Sequence, residues 1–171
     1  MNRNSGTIVL IGMPGAGKST LGVVLAKILN KQFVDTDLLI QTHCGKTLQS
    51  VIDERGAEGF IDIENEVLCG VEAEETVIAT GGSAVYSDEA MRHFSEIGQV
   101  VYLKISYESL VARLGDLQER GVVMKGGAGM SLRDLYEERR PLYERHADIV
   151  VSIDGMDITA SARKVAAAVS S

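Results

Sequence analysis

Eight residues near the start of the chain, Gly12-Met13-Pro14-Gly15-Ala16-Gly17-Lys18-Ser19, fit the pattern G-x-x-x-x-G-K-[ST]. What flanks them makes the pattern informative. An apolar run, Thr7 to Gly12, comes first, and Leu21, Val24, Leu25, Ile28 and Leu29 follow at helical spacing. Strand, glycine turn and amphipathic helix thus stand in the order in which a backbone curls around an anion. The glycines permit the curl, and several N–H groups join the helix N-terminus in pointing at one phosphate. Lys18 then reaches the β- and γ-phosphates and the Ser19 hydroxyl ligates magnesium. Gly12, Gly15, Ala16, Gly17, Lys18, Ser19 and Thr20 are the expected nucleotide-binding residues. At this point the pattern implies ATP or GTP with magnesium, and the lack of an Asn-Lys-x-Asp stretch of the kind that reads guanine argues against a guanine-specific switch protein.

Four more apolar runs read as buried strands: Gln32 to Thr36, Thr76 to Thr80, Gln99 to Ile105 and Asp148 to Ile153. Most are continuous rather than alternating, as strands covered on both faces should be. Helical stripes lie between them, formed by Phe60, Ile63, Val67, Leu68 and Val71, and later by Ile158, Ala162, Val165 and Val169. Such alternation predicts a parallel α/β fold with ligands at the carboxyl ends of the strands. The 171 residues, 45% hydrophobic and 24% charged, suit a single domain over residues 1–171. Residues 114–131 break the rhythm with five glycines and read as a lid, with Arg120 and Lys125 inside it.

The net charge of −7 argues against a nucleic-acid partner, so the few clustered arginines carry the weight in handling phosphate. Cys44 and Cys69 make no disulfide framework, and His43, His93 and His146 lack metal-ligand spacing. No run approaches the ~18 apolar residues of a membrane span, and no signal peptide is legible at the start. A cytoplasmic monomer with no membrane partner is expected. Arg139 and Arg140, just before Pro141, have an alternative reading as cations at the end of a helix.

The second strand ends in Asp35 and Asp37, two residues apart and so on one side of an extended chain. One carboxylate would join a magnesium shell and the other accept a hydrogen bond from an attacking hydroxyl. Together, "GMPGAGKSTLG", "FVDTD", "TGGSAV", "VVYLKIS" and "RRPLYERHAD" resemble the shikimate kinase family within the nucleoside-monophosphate-kinase-like group of P-loop enzymes, over nearly the whole chain. The resemblance implies a five-stranded parallel sheet of order 2-3-1-4-5 flanked by helices, and ATP- and Mg2+-dependent phosphorylation of a small hydroxylated acid. It implies that Asp37 holds and deprotonates the acceptor hydroxyl, that Asp35 and Ser19 lie near the metal, and that Lys18 and Arg120 neutralise the transferring phosphoryl group. Arg113 would lie along the adenine. Arg139 would pair with the acceptor carboxylate in a pocket that Ile61, Gly81, Gly82 and Ser83 also line.

Three departures all touch the acceptor or the lid. Phe60-Ile61 stands where the family usually has Phe-Arg, Gly81-Gly82-Ser83 where it has three glycines, and "ERGVVMKGG" where it has Arg-Pro-Leu-Leu. Loss of one charged partner for a carboxylate costs ~1.5–3 kcal/mol, unless Arg55, Arg140 or Lys125 supplies the charge. Shikimate is the leading acceptor by resemblance alone. A hydroxy amino acid, or non-catalytic nucleotide binding by a regulator, is the alternative.

Overall fold

The structure is a computed structural model that describes residues 5–114 and 130–171. Five parallel strands, β1 (Thr7–Ile11), β2 (Gln32–Asp35), β3 (Thr76–Ala79), β4 (Gly98–Lys104) and β5 (Ile149–Ser152), form one sheet in the order β2-β3-β1-β4-β5. The order is the one implied by the family resemblance, and the strand limits fall within a residue or so of the apolar runs. Central β1 is buried along its full length, with Val9 pairing Ile78 on one side and Val100 on the other. Burial of consecutive residues requires cover on both faces, which is why the run does not alternate. The edge strands β2 and β5 are less covered, and Val150 in β5 is 48% exposed.

The cover comes from α1 (Lys18–Leu29) packed beside α7 (Ile158–Val169), and from α3 (Leu48–Cys69), α4 (Asp88–Ile97) and α6 (Leu132–His146) grouped around a short 3-10 turn, Ala84–Tyr86. Helices α2 (Thr36–Cys44) and α5 (Tyr107–Leu114) complete the described elements. A second apolar cluster joins α2 to α3 through Ile40, Val51 and Phe60. Helix α3 is broken at Gly56, whose φ of 70° interrupts the helical backbone.

Three readings of the sequence need correction. The α1 stripe buries Leu21, Gly22, Leu25 and Ala26, whereas Ile28 is 43% exposed. Asp35 and Asp37 do not share an extended strand: the chain turns into α2 directly after Asp35, whose carboxylate caps that helix by accepting from the Asp37 N–H. Helix α6 does not end at Arg139-Arg140 but runs through Pro141 to His146. Proline there removes one hydrogen bond of the helix without ending it. Of the lid stretch, residues 115–129, with Arg120 and Lys125, lie outside the described residues, while Leu114 ends α5 and Ser131 caps α6.

Candidate active site

The phosphate loop joins β1 to α1. Gly17, at φ 87° with no side chain, precedes α1, so no side-chain oxygen occupies the first N–H groups of that helix. By contrast α2, α3, α4, α6 and α7 each begin behind a side chain that accepts such a bond: Asp35, Thr47, Ser87, Ser131 and Asp157. The Lys18 ammonium is buried and donates to the Gly12 and Met13 carbonyls at 2.7 and 2.8 Å. Burial lowers its pKa to about 8, with Asp37 and Asp35 opposing the shift and Arg139 adding to it. Thr20 is exposed in the first turn of α1. Arg113, near the end of α5, donates to the Ala16 carbonyl at 3.0 Å and the Met156 carbonyl at 3.3 Å, and so lies against the loop.

Beside the loop the Ser19 hydroxyl donates to Asp35 Oδ2 at 2.7 Å, while Asp35 Oδ1 takes the Asp37 N–H at 2.9 Å. Two hard oxygen donors at an exposed edge suit magnesium, which keeps several waters and takes few protein ligands. Asp37 itself is partly buried. Burial first, and then the neighbouring Asp35 charge, push its pKa above the usual carboxylate value, against the pull of Lys18.

Gly81 and Gly82, just after β3, are where the two halves of the site meet. A Cβ at Gly82 would stand 2.6 Å from Pro14 Cδ and 2.7 Å from Arg139 Nη1. A Cβ at Gly81 would stand 2.8 Å from Asp37 Oδ1 and 3.2 Å from Glu64 Oε2. Only glycine lets the phosphate loop, Asp37, Glu64 and Arg139 approach one short piece of backbone. Arg139 is 1% exposed. Its Nε donates to the Tyr86 hydroxyl at 3.2 Å, and its guanidinium lies 5.1 Å from the centre of the Tyr86 ring. Tyr143 fixes the same backbone by donating to the Gly82 carbonyl at 2.7 Å.

The structure thus gathers Lys18, Ser19, Asp35, Asp37, Gly81, Gly82 and Arg139 at the carboxyl end of the sheet. Ser83 is close by but turned away from solvent: it is buried, and its hydroxyl donates to Glu64 Oε1 at 2.7 Å. Ile61 is half-buried and packs on the Ile40, Val51 and Phe60 cluster. Of the cations named as substitutes for a missing arginine, Arg55 is exposed on α3, and Arg140 pairs with Glu137 and Glu144 on the outer side of α6.

Glu64 is the site residue that sequence reading missed. It is 2% exposed, and burial raises its pKa to about 7, the Ser83 hydrogen bond and Arg139 opposing and Asp37 adding to the shift. Its signal was nonetheless present. Positions 60, 61, 67 and 68, one turn away on either side, are Phe, Ile, Val and Leu, so a carboxylate interrupts an otherwise apolar stripe.

A family model described as shikimate kinase matches residues 14–170. The shikimate kinase of Chromohalobacter salexigens is 39% identical over 149 residues, covering 86% of this chain and 83% of the relative. That of Pseudomonas paraeruginosa is 40% identical over 148 residues, covering 86% of each. Among solved structures, shikimate kinase from Acinetobacter baumannii in complex with shikimate superposes with a TM-score of 0.84 at 30% identity, covering 95% of this chain and 92% of that one.

Proposed function

The chain belongs to the shikimate kinase family, and from that premise we propose that it transfers the γ-phosphoryl group of ATP to a hydroxyl of shikimate. The observation that carries the reading is the junction at Gly81-Gly82, where the phosphate loop, a carboxylate of raised pKa and a buried arginine converge. Three relatives named for the same activity favour shikimate over a hydroxy amino acid, and over nucleotide binding without chemistry.

In this reading the loop amides and Lys18 receive the β- and γ-phosphates, and Arg113 braces the loop beneath the nucleotide. Asp37 accepts the hydrogen bond of the acceptor hydroxyl. As the new O–P bond forms and the bond to ADP breaks, the proton passes to Asp37, whose raised pKa makes it a better base than an ordinary carboxylate. Arg139 offers the acceptor carboxylate a planar guanidinium, positioned by Tyr86. Ser19 and Asp35 would hold Mg2+, which neutralises charge on the phosphates when bound. Arg120 takes its part by family pattern alone. Asp37→Asn is the direct test, by coupled ADP release with ATP and shikimate. A fall in kcat of about 10²–10⁴, with ATP binding retained, is expected; a variant within about threefold of wild type would overturn the role of Asp37.

A further inference from the structure

Among the described residues, Glu64 has one oxygen engaged and one without a partner. Oε1 accepts the Ser83 hydroxyl, whereas Oε2 is buried and has no hydrogen-bond partner among the described residues. A hydrogen bond to one oxygen of a buried carboxyl group narrows the directions open to the other. Oε2 points at the Gly81 backbone, and Asp37 Oδ1 reaches the same spot from α2. The surroundings do not balance this group from its own helix, whose adjacent turns present only Phe60, Ile61, Val67 and Leu68. The polar and charged groups that face it come from other elements: Asp37 from α2, Ser83 from the turn after β3, and Arg139 and Tyr143 from α6.

Resting on the phosphotransfer reading above, we propose that Ser83 is a positioning residue that acts through Glu64. By holding Oε1 it aims Oε2 at an acceptor hydroxyl next to the one that Asp37 takes. The contact selects acceptors with two neighbouring hydroxyls. Ser83 therefore belongs to the acceptor site although its own hydroxyl never meets the acceptor. The arrangement also gives Glu64 a neutral partner in a region where Ile61 supplies no charge.

The test uses steady-state coupled ADP release on the full chain, comparing wild type, Ser83→Ala, Glu64→Gln and the double variant, with shikimate and ATP varied separately across the acid and neutral pH range. Ser83→Ala removes little volume and is expected to fold, which a thermal melt checks. It should raise KM for shikimate about fivefold and leave KM for ATP and kcat within about twofold. The hydroxyl favours the ionised form of Glu64, so its removal should move the acid limb of kcat/KM for shikimate to higher pH. Glu64→Gln should remove that limb, leaving the one owed to Asp37, and the double variant should show no further movement. An active wild type whose Ser83→Ala form keeps both its KM for shikimate and its acid limb would overturn the positioning role alone. So would equal loss toward both substrates together with a lowered melt, which would make Ser83 merely structural. A wild type with no shikimate-dependent turnover would overturn the functional reading, and this inference with it.

Discussion

Gly82→Ala adds a single methyl group where the site has no room for one. The new Cβ would lie 2.6 Å from Pro14 Cδ and 2.7 Å from Arg139 Nη1, both well inside contact distance. Neither neighbour yields easily. Pro14 is a ring within the phosphate loop, and Arg139 is 1% exposed and tied to Tyr86. Relief requires the β3 turn and the loop to part by several tenths of an ångström or more, in the direction that separates the phosphoryl donor from the acceptor. Overpacking of this sort costs about 1–3 kcal/mol of stability, which lowers the melting temperature by about 2–4 °C per kcal/mol in a chain of this size. The larger effect falls on catalysis, because a displacement approaching 1 Å between reacting groups costs about a hundredfold in rate. Coupled ADP release should thus show kcat/KM for shikimate reduced by about two orders of magnitude. Gly70→Ala is the matched control: the nearest atoms to its Cβ are the Val67 and Glu66 carbonyl oxygens at 3.6 and 3.7 Å, in ordinary contact, and its φ of −89° suits alanine. Should Gly82→Ala retain activity within about threefold of wild type, the close approach at Gly82 does not set the donor–acceptor geometry, and the reasoning fails.

Two further outcomes are expected. Ile61→Arg places a cation on the same face of α3 as Glu64, one turn away, and a new charged partner for the acceptor carboxylate should lower KM for shikimate about tenfold or more without altering KM for ATP; an unchanged or raised KM in a folded variant would show that position 61 does not face the carboxylate. Glu64 makes folding stability depend on pH, because its folded pKa of about 7 lies above the ordinary 4.5. The folded state binds the extra proton between those values, so the contribution, on the order of 3 kcal/mol, is complete below about pH 4.5 and is lost as pH rises toward about 7. Urea titrations of wild type and Glu64→Gln across that range should converge at its acid end and diverge at its neutral end; parallel stability profiles would refute the shift.

Much of the fold was legible because its strands are short apolar runs without alternation, set between helical stripes, the pattern expected of a sheet covered on both faces. The phosphate loop was legible for a related reason: backbone geometry dictates its glycines, and backbone geometry leaves a mark in sequence. What escaped was set by tertiary approach. The tight turn from β2 into α2 makes Asp35 a helix cap, although the spacing of Asp35 and Asp37 suits a strand equally well. Pro141 looks like a terminator, yet α6 tolerates it because its flanks are packed, with Arg139 and Tyr143 both buried. Glu64 looks like a polar break in a stripe. Only the arrival of Ser83 from another element shows that the break is a buried carboxyl group with a partner.

The absent side-chain cap on α1 divides the labour of stability within the chain. Five of the other helices close their own first turn, while α1 leaves that closure to whatever anion arrives. A residue with a capping oxygen at position 17 would be strained, because a φ of 87° is one that side-chain-bearing residues rarely adopt, and its oxygen would also compete for the place a phosphate is meant to take. The glycine that leaves this turn open thus serves backbone geometry and binding together, and a hardened variant of the chain is best sought at positions remote from residues 12–19.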